Sequence, residues 1–151
     1  MKHWLLTLTA FSLLTLPVLA NEKAENLFQQ GQVFAVQKSY DQAMNAYLQA
    51  LVSDPKHERA RISLAIIYGV KKEYPKALKE IAAVQKLYPN SFLSYKVQGM
   101  LLKDSQEPEA AAQALETYLK LAPAEQIKDR DEVEKLIQSL RQTPGAEAQG
   151  E

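Results

Sequence analysis

His57 is the one histidine left once residues 1–20 are set aside. Imidazole is the side chain best fitted to move a proton or bind a metal near neutral pH. Either task needs company: further ligands for a metal, or a nucleophile and an orienting group for proton transfer. No such partner stands at motif spacing from His57, and the chain has 0 cysteines. His57 falls at a break in the helical pattern and is expected as a solvated turn residue. The carboxylates are scattered over polar helix faces and form no paired general acid and base. Lys71, Lys72, Lys76 and Lys79 are interleaved with Glu73 and Glu80, as on a solvated face rather than a nucleic-acid stripe. Gly31, Gly69 and Gly99 lie on helices or end them and are too few to cradle a phosphate. These residues point to no enzyme, no cofactor and no metal.

The elements that would carry such residues are more informative. Glu58–Ser91 reads as one helix–turn–helix unit, with Ala77 near the start of its second helix and Pro89 just past the end of that helix. Ala43 and Pro55 lie 34 residues earlier, and Ala111 and Pro123 lie 34 residues later. Apolar stripes at helical spacing follow the same period. Leu27, Phe28, Gly31 and Phe34 form the first stripe, and Ala43, Met44, Tyr47, Ala50 and Leu51 the second. Leu64, Ala65 and Tyr68 precede Ala77, Leu78, Ile81 and Val84; Tyr95, Gly99 and Leu102 precede Ala111, Leu115, Tyr118 and Leu119. Small residues recur where helices must cross closely, and large neighbours such as Tyr47, Ile81 and Leu115 fill the groove beside them. Pro75 and Pro108 fall in the first turn of a second helix, where no hydrogen bond is lost.

This pattern resembles the tetratricopeptide repeat family. The residues that match it are Leu27, Gly31, Phe34, Ala43, Tyr47, Ala50 and Pro55; then Leu64, Ala65, Tyr68, Ala77, Ile81, Val84 and Pro89; then Tyr95, Gly99, Leu102, Ala111, Leu115, Tyr118 and Pro123. Arg61, Gln30 and Gln98 depart from it, standing where a large apolar residue is usual. The resemblance implies an all-α fold: a right-handed α-solenoid of three helix–turn–helix repeats over 24–57, 58–91 and 92–125, with a capping helix within 126–142. In that last helix Val133, Leu136, Ile137 and Leu140 share one face, as a stack needs at its end. Thr143–Glu151 has no large apolar residue and is expected as a disordered tail.

Such a stack implies a concave surface, lined by the first helix of each repeat, that binds a peptide or protein. Family members that hold a C-terminal carboxylate use a clamp of Lys, Asn and Arg on these helices. The corresponding positions here are Phe28, Gln32, Ser63, Leu93 and Val97, so the clamp is absent. The residues expected to line the groove are Phe28, Gln32, Arg59, Ile62, Ile66, Lys96, Val97, Met100 and Lys103. They form an apolar strip with basic residues beside it, suited to an amphipathic or extended segment with apolar anchors and acidic residues nearby. The expected role is a protein-interaction adaptor acting in assembly of a cell-envelope complex: a pilus, a secretion system or respiratory machinery. The alternative is a homo-oligomer that buries the same strip against itself.

The address is read from MKHWLLTLTAFSLLTLPVLA. Lys2 is followed by an apolar run, Pro17, and small residues at Val18 and Ala20, the layout of a signal peptide cut after Ala20. The run is shorter than the roughly 20 apolar residues that span a bilayer. Export to a Gram-negative periplasm is expected rather than release from the cell, with membrane contact only through the leader. The chain has 18 basic and 18 acidic residues; losing Lys2 leaves 17 against 18. That balance offers no field for nucleic acid.

Overall fold

The computed structural model describes residues 15–142. Among them are seven α-helices, one turn of 3-10 helix and no strand. The helices are α1 (Thr15–Val36), α2 (Tyr40–Ser53), α3 (Glu58–Val70), α4 (Tyr74–Leu87), α5 (Phe92–Asp104), α6 (Pro108–Leu121) and α7 (Arg130–Gln142); the 3-10 turn is Ala124–Gln126. Their ends recur every 34 residues: α2, α4 and α6 begin at Tyr40, Tyr74 and Pro108, and α1, α3 and α5 end at Val36, Val70 and Asp104.

Chain chemistry sets these ends. Asp54, Tyr88 and Ala122 each donate a last helical hydrogen bond, to Ala50, Val84 and Tyr118, at 2.8, 2.7 and 2.9 Å. The next residue is proline each time, and proline has no N–H with which to continue. Pro75 and Pro108 sit in the first turns of α4 and α6, as their sequence positions require. α1 is already helical at Thr15, the first described residue, and runs without a break through Asn21–Lys23 into the first repeat. Ala20–Glu25 are mostly good helix formers. Residues 1–14 of the expected leader, and the expected tail 143–151, lie outside the described residues.

The turns joining α1 to α2, α3 to α4 and α5 to α6 share one conformation. Lys38, Lys72 and Gln106 have φ of 58°, 60° and 67°. In each turn the following amide bonds back to the helix, Ser39 to Phe34 at 2.9 Å, Glu73 to Tyr68 at 2.8 Å and Glu107 to Leu102 at 2.9 Å. This is a helix-ending motif that usually places glycine at the left-handed residue.

The chain divides into two compact units, one ending at Ala60 and the other starting at Arg61. In the first, α1 packs on α2 through Ala24, Phe28, Ala43, Ala46, Tyr47 and Ala50, all buried. Gly31 makes the approach possible: a Cβ there would stand 2.4 Å from the Tyr47 ring. In the second, Ile62 and Ala65 of α3 pack with Ala77, Ile81 and Val84 of α4 and Leu101 of α5. Leu102, Ala111, Leu115 and Tyr118 of α5 and α6 pack with Val133, Ile137 and Leu140 of α7. The apolar face of α7 is the one expected.

Two departures from the repeat pattern have structural replacements. Arg61 is half-buried, and its Nη1 donates to Glu80 at 2.8 Å, joining α3 to α4 by an ion pair where an apolar side chain would have packed. Gln98 accepts a 2.9 Å hydrogen bond from Gln85, joining α5 to α4. Gln30 is exposed on α1.

Candidate interaction surface

In the second unit, α3 and α5 belong to one packed cluster through Ile62, Leu101 and Val97. Both helices turn apolar side chains outward from it. Ile66 is 44% exposed, Leu93 48% and Met100 39%, with Val97 half-buried beside them. Leu93, Val97 and Met100 follow at i, i+4 and i+7 and share one face of α5. Ile66 and Met100 stand one repeat apart, at the same place on successive first helices. Val70 extends the outward row on α3 and is 50% exposed.

The lysines expected beside this strip are engaged. Lys96 Nζ donates to Asp129 Oδ2 at 2.8 Å, at the start of α7, and lies 5.2 Å from the centre of the Tyr118 ring. The hydrogen bond to Asp129 holds the Lys96 ammonium above its ordinary range against the opposing effect of burial. The same bond holds the Asp129 carboxyl below its ordinary range, again against burial. Lys103 lies 3.3 Å from the carboxylate of Asp104.

The first unit gathers a different cluster. Phe28 is 2% exposed. Its ring lies 5.8 Å from that of Tyr47, 5.1 Å from that of His57 and 4.7 Å from the Arg59 guanidinium. Glu25 Oε2 accepts from Arg59 at 2.6 Å and meets His57 Nε2 at 3.2 Å. Burial alone would raise the Glu25 carboxyl, but hydrogen bonds from Gln29 and Arg59, the Arg59 charge and the His57 bond together hold it below the ordinary carboxylate range. Gln32 is exposed and Arg59 keeps 61% of its side chain open to water.

His57 is not the solvated turn residue expected; it is only 8% exposed. Its Nδ1 accepts the Ala60 backbone N–H at 3.1 Å, capping the first turn of α3 in place of the usual Ser or Asp. Because Nδ1 accepts, the proton of the neutral ring sits on Nε2 and is donated to Glu25. The burial comes from Phe28 beneath the ring, a contact that spacing along the chain does not reveal. Phe28 and Ile62, placed in the strip from sequence, are buried in their units at 2% and 7% exposure, because each fills a helix crossing. The outward apolar residues are therefore Ile66, Leu93, Val97 and Met100. Two ion-pair roles are not assigned from the sequence, that of Glu25 and that of Asp129, which suits the N-terminus of α7 on residue type alone. Opposite charge one period apart, at Glu25 and Arg59, was a readable signal. Among the described residues no group of three or more His, Cys, Asp or Glu is placed to hold a metal. None of the described helices is long and apolar enough to cross a membrane.

Residues 28–92 match the family model described as tetratricopeptide repeat. No curated protein matches the sequence. Solved structures similar to this chain include the first TPR domain of Spaghetti (RPAP3) bound to the HSP90 peptide SRMEEVD, at 24% identity and a TM-score of 0.70 over 80% of this chain and 95% of that one. The TPR2B domain of yeast Sti1, in a pHsp70 complex, is 19% identical with a TM-score of 0.73 over 80% and 98%. The type III secretion translocator chaperone SycD of Yersinia enterocolitica is 15% identical with a TM-score of 0.74 over 80% and 92%. Likeness at these identities speaks to the fold.

Proposed function

We propose that this chain, whose residues 28–92 match the tetratricopeptide repeat model, is a non-enzymatic adaptor that holds a segment of a partner protein on the first helices of its repeats. We take the repeats as 24–57, 58–91 and 92–125, with 126–142 as the capping segment. The observation that carries the reading is the outward apolar row of Ile66, Leu93 and Met100. Side chains of this size at helical spacing are what a peptide-binding groove presents to the apolar anchors of its ligand. The peptide complexes of similar domains, with SRMEEVD on RPAP3 and pHsp70 on Sti1, support binding of a segment rather than catalysis. Gln32 and Arg59 are the polar candidates on the first unit, and Lys96 and Lys103 those on the second.

The place of action we propose is the periplasm, in assembly of an envelope complex, on the strength of the leader layout of residues 1–20. A cut after Ala20 shortens α1 to Asn21–Val36 and leaves intact Ala24–Val36, the first helix of the first repeat. N-terminal sequencing of protein from the periplasmic fraction should begin at Asn21. An intact Met1 would overturn cleavage after Ala20, and absence of the protein from that fraction would overturn the export reading.

The binding test uses Ile66→Asp and Met100→Asp. A protein captured from the periplasmic fraction by the native chain should be lost with both variants, while circular dichroism stays unchanged. Capture that survives both changes removes this surface from the function. A native dimer in light scattering that both variants dissociate assigns the surface to self-association instead.

A further inference from the structure

Inside the second unit, one face of α5 shows what the stacking of repeats covers. Ser94 and Leu101 are 0% and 5% exposed. Leu101 packs with Ile62 and Ala65 of α3 and Ile81 of α4, and a Cβ on Gly69 of α3 would stand 2.5 Å from its Cδ2. Gln98 lies between Ser94 and Leu101 on the same face and accepts the 2.9 Å hydrogen bond from Gln85 of α4. Two repeat periods earlier, the same face of α1 carries Asn26, Gln30 and Val33. All three are exposed, Val33 at 55%. With Glu22, Lys23 and Leu27, Asn26 and Gln30 line a shallow open depression of about 390 Å³. The last helix is finished differently: α7 turns Asp131, Glu132, Glu134 and Lys135 to solvent, the polar outer face that ends a stack. Between Ala24 and Gln37 the only charge on α1 is Glu25, and it is held by Arg59 and His57. The edge is thus amide and valine along its middle, with exposed Glu22 and Lys23 at one end and exposed Lys38 at the other. No ion pair holds Glu22, Lys23 or Lys38 among the described residues.

We propose that this edge of α1 is covered by a second copy of the chain, α1 against α1 in antiparallel orientation about a two-fold axis at Gln30. A two-fold interface must be complementary to itself, and this edge is. Leu27 falls opposite the partner's Val33, and Glu22 opposite the partner's Lys38, each contact occurring twice. Gln30 meets the partner's Gln30. Two glutamine side chains can exchange an amide hydrogen bond there, as Gln85 and Gln98 do across the antiparallel pair α4 and α5. A parallel pairing would set Glu22 against the partner's Glu22 and Lys38 against the partner's Lys38, so charge selects the antiparallel one. The central glutamines set the register, as a single polar position does in a helical seam. Ile66, Leu93 and Met100 are not part of this edge, so it is independent of the adaptor reading.

Sedimentation equilibrium of the native chain tests this, since residues 22–38 are present with or without a cut after Ala20. A single helix face is smaller than the about 800 Å² that each partner of a standard interface buries, so concentrations should run from roughly 10 to 500 μM. A monomer–dimer equilibrium is expected. Gln30→Glu sets two carboxylates together at the axis and Gln30→Lys two ammonium groups; either should weaken dimerisation at least about tenfold, with circular dichroism unchanged. Glu22→Lys and Lys38→Glu should each weaken it about two- to fivefold, and the double variant, which exchanges both signs, should restore it. Ile66→Asp and Met100→Asp should leave it unchanged. A monomer throughout the range overturns the inference, as does a dimer that both Gln30 variants leave intact or that Ile66→Asp dissociates. A double variant that dimerises no more tightly than its single parents overturns the antiparallel register. A native chain that is monomeric but captures a periplasmic protein that Gln30→Glu loses gives the edge to a different partner, which overturns the second copy as its occupant.

Discussion

Gly99 and Leu115 approach so closely that a methyl group on the Gly99 Cα would stand 2.6 Å from Leu115 Cγ. Leu115 is fully buried at 0% exposure and cannot swing aside, and the Ala111 carbonyl oxygen lies 3.2 Å from the same point. Two effects oppose each other in Gly99→Ala. Removing glycine from a helix interior gains about 1 kcal/mol of propensity. Forcing a methyl into a filled crossing costs about 1–3 kcal/mol. The backbone oxygen leaves no side-chain escape, so the second effect should win, with a net loss of up to about 2 kcal/mol by urea unfolding. A gain in stability would show that α5 and α6 can separate at this crossing without cost.

The three left-handed turns make the opposite prediction. Lys38, Lys72 and Gln106 hold φ near 60° with exposed side chains. A residue with a Cβ costs about 1–2 kcal/mol there, and glycine gives back part of that through its greater freedom in the unfolded chain. Lys38→Gly, Lys72→Gly and Gln106→Gly should each stabilise by about 0.5–1 kcal/mol. Because the sites are separate, the triple variant should show close to the sum in thermal melts.

These turns also mark where the sequence stops being readable. Ala43, Ala77 and Ala111, and the prolines after α2, α4 and α6, announce themselves by residue type, since small size and a missing N–H have few substitutes. The αL residues do not, because lysine and glutamine carry no turn signal and their conformation is imposed by the helices on either side. The burial of His57 and Phe28 was hidden for a related reason. Both depend on how the turn after α2 folds back over α1, which no single helix period encodes. Arg61 and Gln98 looked like weakened packing positions, yet each found a polar partner on α4 that the repeat pattern does not specify.

Acid should loosen the first unit through Glu25. Its carboxyl lies below the ordinary 4.5 when folded, so the unfolded chain binds more protons in the acid range. The stability it contributes is present above that ordinary value and is lost as pH falls through the lower, folded one. Asp129 acts in the same direction from its ordinary 3.8. Lys96, raised above 10.5, contributes stability that is present below that value and is lost as pH rises through its folded one. Glu25→Gln should therefore flatten the acid limb of the stability curve without moving the alkaline limb, as read by urea unfolding across pH. An acid limb unchanged in Glu25→Gln would mean that the carboxylate gains nothing from Arg59 and His57.

His57 supplies the sharpest separation between a turn residue and a structural one. A solvated side chain replaced by alanine changes stability by less than about 0.5 kcal/mol. Here the replacement would strip the cap from Ala60, whose amide is at a position with 0% exposure, and would remove the ring between Phe28 and Glu25. A lost cap costs about 1 kcal/mol, and a lost hydrogen bond to a charged group about 1.5 kcal/mol or more. His57→Ala should accordingly cost about 2–3 kcal/mol. His57→Asn, whose side-chain oxygen can still accept the Ala60 N–H, should recover roughly 1 kcal/mol of that. Nitrogen-15 spectra of the neutral ring should show the proton on Nε2, because only that tautomer leaves Nδ1 free to accept while donating toward Glu25. A ring found with its proton on Nδ1, or an alanine variant as stable as the native chain, would return His57 to the solvent.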